Sequence, residues 1–72
     1  MRTTEAMRRM LEQSGKGAVT VSKEIGRDRS YLTSTLNRGN IPSASALAQV
    51  ARACGYKLVL ESDTDRIDID PE

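Results

Sequence analysis

Between Arg29 and Arg38 the chain sets guanidinium, hydroxyl and phenol groups around two leucines one helical turn apart. Arg29, Ser30, Tyr31, Thr33, Ser34 and Arg38 stand beside Leu32 and Leu36. Arginine can donate two hydrogen bonds to guanine O6 and N7. Serine and threonine reach base edges or phosphates, and tyrosine reaches a phosphate. The polyanion with readable edges that suits this set is double-stranded DNA. Arg29, Ser30, Thr33 and Ser34 are the candidates for base contacts. Tyr31, Arg38, Asn40 and Ser43, with Thr20 and Lys23 upstream, are the candidates for the flanking backbone. Ser, Thr and Asn are indifferent helix formers, so a helix rich in them is not composed for stability alone.

A reading helix needs other elements to hold it, and the glycines divide the chain into four short helical segments. The first is expected from Thr3 to Ser14, with Met7, Met10 and Leu11 in an i, i+3, i+4 stripe. The second runs from about Ala18 to Ile25 and buries Val21 and Ile25. Its Val19-Thr20-Val21 run is β-branched and weakly helical, so packing must support it. The third is capped by Asp28 and reaches about Asn37. The fourth follows Ile41-Pro42, is capped by Ser43, and carries Leu47, Val50, Ala51 and Cys54 on one stripe. Cys54 reads there as a small core residue rather than a reactive thiol. Between the second and third segments, Ser22 is small enough for close crossing, Gly26 accepts positive φ in the turn, and Leu32 anchors the next helix.

After Gly55 the period changes to two. Residues 56–61 read as a strand with Tyr56, Leu58 and Leu60 on one face. Ser62-Asp63-Thr64-Asp65 is turn chemistry and Arg66-Ile67-Asp68-Ile69-Asp70 alternates again, so the tail either returns as a hairpin or stays loose. A lone two-stranded hairpin is marginal in water, and an apolar edge strand seeks pairing. The expectation is a homodimer joined through Tyr56, Leu58, Val59 and Leu60. It would place two reading helices about 34 Å apart, over a palindrome.

The segment Gly26-Arg27-Asp28-Arg29-Ser30-Tyr31-Leu32-Thr33-Ser34-Thr35-Leu36-Asn37, with Pro42-Ser43 and Leu47 to Gly55, resembles the phage-repressor/Cro (Xre-type) helix-turn-helix family. The resemblance covers roughly residues 3–55. It implies a mainly α, four-helix, lambda-repressor-like domain whose third helix enters the major groove. Ala18 stands where the family often has Gln, Arg27 where it usually has an apolar residue, and Asp28 where it often has Ser. The strand that follows directly on Gly55 is similar to that of some antitoxins of toxin–antitoxin pairs, in which it pairs with its copy in a second subunit.

Composition bounds the remaining possibilities. Seventy-two residues allow one domain, divided here into residues 1–55 for DNA binding, 56–61 for dimerisation and an acidic tail at 62–72. With no His, one Cys and no Gly-rich phosphate loop, neither a metal, a cofactor nor an enzymatic activity is expected. No run is apolar enough for a membrane span or leader, so a cytoplasmic location is expected. The net charge of +1 conceals two unlike parts. Residues 1–60 hold ten Lys/Arg and four Asp/Glu, whereas residues 61–72 hold Arg66 and six carboxylates. A basic body suits a transcriptional repressor. The acidic tail with Ile67 and Ile69 leaves a second reading open, an antitoxin that holds a protein partner, the toxin, and regulates its own operon.

Overall fold

The computed structural model describes all 72 residues. Its elements run α1 (Thr3–Ser14), α2 (Ala18–Glu24), α3 (Tyr31–Arg38), α4 (Ala44–Ala53), β1 (Leu58–Glu61) and β2 (Arg66–Ile69). Nine residues make the core: Met7, Met10, Leu11, Val21, Leu32, Leu36, Val50 and Ala51 from the four helices, and Cys54 just past α4. The stripes that the sequence spacing places on α1 and α4 are the faces that meet there. No helix is long and apolar enough to cross a membrane.

Helix α2 is only seven residues long and contains the β-branched run, so it owes its existence to burial. Val21 and Ser22 are completely enclosed. The helix ends at Glu24, with Ile25 half-buried against the core. Gly26 follows with φ +76°. Its N–H bonds the Lys23 carbonyl at 3.0 Å, and the Arg27 N–H bonds the Ser22 carbonyl at 2.9 Å. This paired closure satisfies the last carbonyls of the helix and requires a left-handed residue.

Asp28 does not cap α3 as expected. The helix begins three residues later, at Tyr31. The Asp28 carboxylate instead accepts the Ser30 backbone N–H at 3.0 Å and the Ser30 hydroxyl, while the Tyr31 N–H bonds the Asp28 carbonyl at 2.9 Å. The short polar side chain folds the backbone into a turn before the helix, a local competition that Asp makes readily. At the other end the Gly39 and Asn40 N–H groups close α3 onto Leu36 and Thr35. Ser43 caps α4 as its sequence position predicts, accepting the Ala46 N–H at 3.1 Å.

Of the two expectations for the tail, the returning hairpin is the one observed: β1 pairs antiparallel with β2, Leu58 opposite Ile69 and Leu60 opposite Ile67. The apolar cross-strand pairs share one face, which favours this register. Ser62 closes the turn, its N–H bonding the Asp65 carbonyl at 2.8 Å and its hydroxyl accepting the Thr64 and Asp65 N–H groups. Tyr56 precedes the strand rather than belonging to it. Both strands contact α4, and the Glu72 N–H reaches the Ser45 hydroxyl at 3.2 Å, so residues 62–72 return to the helical body. A two-stranded sheet leaves one unpaired edge on each strand.

Candidate nucleic-acid interface

Leu32, Thr35 and Leu36 are buried and turn one side of α3 into the core. At 100° per residue, this inward side aims Ser30, Thr33, Ser34 and Asn37 outward. Arg29 precedes the helix and Arg38 ends it. Arg29, Thr33, Asn37 and Arg38 are exposed, and their side chains make no hydrogen bond or ion pair within the protein. Ser34 is half-buried beside them.

Ser22 sets the rotation of this helix. Its hydroxyl donates to the Ala18 carbonyl at 2.7 Å and accepts the Leu32 N–H at 3.1 Å. The second bond satisfies an amide near the start of α3 that has no intrahelical partner. From the opposite side, Arg8 of α1 donates to the Leu36 carbonyl at 3.3 Å. Both anchors act on the backbone and leave the outward side chains unengaged.

The other predicted residues divide by task. Tyr31 is half-buried against the core, with the Arg27 guanidinium 4.7 Å above its ring. The cation covers the aromatic ring, a favourable contact between a guanidinium and a π face. Ser30 donates its hydroxyl proton to Asp28, so only its lone pairs remain for a ligand, which suits a base amino group rather than a phosphate oxygen. Thr20 and Lys23 are exposed on α2, Asn40 is exposed in the loop after α3, and Ser43 is exposed while its oxygen caps α4. Tyr56, Leu58, Val59 and Leu60 lie away from this face, at the base and first strand of the hairpin.

The local charge favours an anion. Residues 18–43 carry Lys23, Arg27, Arg29 and Arg38 against Glu24 and Asp28. Glu24 is paired with Lys16 at 3.0 Å. The Ser30 hydroxyl and then its backbone N–H hold the Asp28 carboxyl below the usual carboxylate range. Neither ion pair joins the acidic hairpin to α3.

No family model, curated protein or solved structure matches the chain. The interface therefore rests on its own chemistry.

Two residues escaped the sequence reading. Asn37 lies one turn beyond Thr33 on the outward side, and an amide there can bond adenine N6 and N7. The spacing from Thr33 to Asn37 already contained that signal. Lys16, in the α1–α2 connection, donates to the Ala53 carbonyl at 2.8 Å and so caps the end of α4. No local pattern announces a bond across 37 positions. Burial pushes the Cys54 thiol up, as expected of a core filler.

Proposed function

We propose that the chain is a sequence-specific DNA-binding repressor that reads a palindromic operator as a homodimer. In this reading α2 and α3 form a lambda-repressor-like helix-turn-helix, with α3 in the major groove. One observation carries it: Arg29, just before α3, and Thr33, Asn37 and Arg38 on it are exposed and unengaged, while the helix backbone is anchored from α1 and α2. Arg29, Ser30, Thr33 and Ser34 meet base edges. Thr20, Lys23, Tyr31, Arg38, Asn40 and Ser43 approach phosphates, Tyr31 through its hydroxyl because its ring is engaged. Selection of the full chain against random DNA duplexes tests this. An enriched palindrome with half-sites about one turn apart is expected; absence of enrichment at moderate salt overturns it.

A second reading, the antitoxin, is favoured by Leu60 and Ile67, which are 57% and 53% exposed within an acidic hairpin. A protein partner would cover them. Co-purification of a second protein that is lost with Leu60→Ser/Ile67→Ser supports this reading; retention by the variant removes the hairpin as its docking element.

A further inference from the structure

The apolar face of the hairpin is covered at its base and bare at its tip. Leu58 and Ile69 are half-buried near α4, whereas Leu60 and Ile67, the next pair along the same face, are mostly exposed. At the base this face runs into a groove of about 260 Å³ between α1, α4 and β1. Ala6, Met10, Leu47, Ala51 and Leu58 make its apolar walls, and Arg9 and Lys57 supply its charged groups. The tip carries the opposite net charge, since Glu61, Asp63 and Asp65 stand there against Arg66, which is itself paired with Asp68.

We propose that a second copy of this chain occupies the groove, each protomer laying its Leu60/Ile67 tip into the groove of the other. The two ends of one continuous apolar strip are complementary in charge: the tip is acidic and the groove basic. A two-fold rotation that reverses one strip against another brings each tip to a groove, so a single contact is made twice. This rests on the homodimer in the reading above and deepens it: the joint is a face in a groove, rather than strand edge to strand edge. The hairpin's intrachain pairing provides that face, because it sets Leu60 directly opposite Ile67.

The exposed charges allow a test that needs no DNA, so its failure is separable from failure of DNA binding. One variant carries Arg9→Glu/Lys57→Glu and another carries Glu61→Lys/Asp65→Lys. Sedimentation at about 100 μM reports the association state, and circular dichroism confirms that each variant folds. Wild type is expected to be a dimer. Each variant alone opposes like charges at both contacts and should be monomeric. An equimolar mixture opposes unlike charges at both and should form the heterodimer. A monomeric wild type, a dimer that persists in both single variants, or a mixture that stays monomeric overturns the proposal.

Discussion

The hydroxyl of Ser22 accepts the backbone N–H of Leu32 at 3.1 Å, across ten positions and inside the core. The same hydroxyl donates to the Ala18 carbonyl, so one small side chain links the backbones of two helices. Removing it leaves the Leu32 amide buried and unsatisfied. Ser22→Ala should cost about 1–3 kcal/mol. Urea denaturation with an unchanged slope checks this, and a loss below a few tenths of a kcal/mol would show that the bond contributes nothing net.

Gly26 holds φ +76° with nothing within 4 Å of where a Cβ would sit, so conformation rather than space restricts the position. Gly26→Ala should destabilise by about 1–2 kcal/mol, the cost of a left-handed alanine. Gly26→Asn should cost less, because asparagine tolerates that region. Thermal melts of the two variants should rank them in that order.

Arg29 and Arg38 are both exposed, and the proposed complex assigns Arg29 to a base and Arg38 to a phosphate. On the selected operator, Arg29→Ala should cost about 1–3 kcal/mol and relax preference at one base pair. Arg38→Ala should weaken all sequences alike and reduce the salt slope by about one. Binding titrations over a salt series separate the two. Uniform loss from Arg29→Ala would make it a phosphate contact.

Asp28 titrates lower in the folded chain than in the unfolded one, chiefly through the Ser30 hydroxyl. A depressed carboxyl contributes its stability above the unfolded value, near pH 3.9, and loses it as pH falls through the folded value. Ser30→Ala should move the Asp28 carboxyl titration up, followed by carbon NMR. The stability gap between wild type and Ser30→Ala should also shrink on acidification. A gap constant down to pH 2 would place the cause elsewhere.

Residue spacing alone located the four helices because their stripes are local: Met7, Met10 and Leu11, or Leu47, Val50 and Ala51, repeat within one or two turns. The exposed set around Arg29 and Thr33 was legible for the same reason. A helix with Leu32 and Leu36 inward has only one outward side. Turn chemistry at Ser62–Asp65 was likewise visible in four adjacent residues. Tertiary structure decided what depends on residues far apart. Ser22 bonds Leu32, Arg8 reaches Leu36 across 28 positions, and Lys16 caps α4. It also chose the partner of β1, since an alternating strand specifies a face and a pairing tendency without naming its neighbour. Asp28 marks the boundary between the two. Its polarity made it a helix-start signal, but where the helix starts was settled by the closing of the turn onto Ser30, with Leu32 held by Ser22 just beyond.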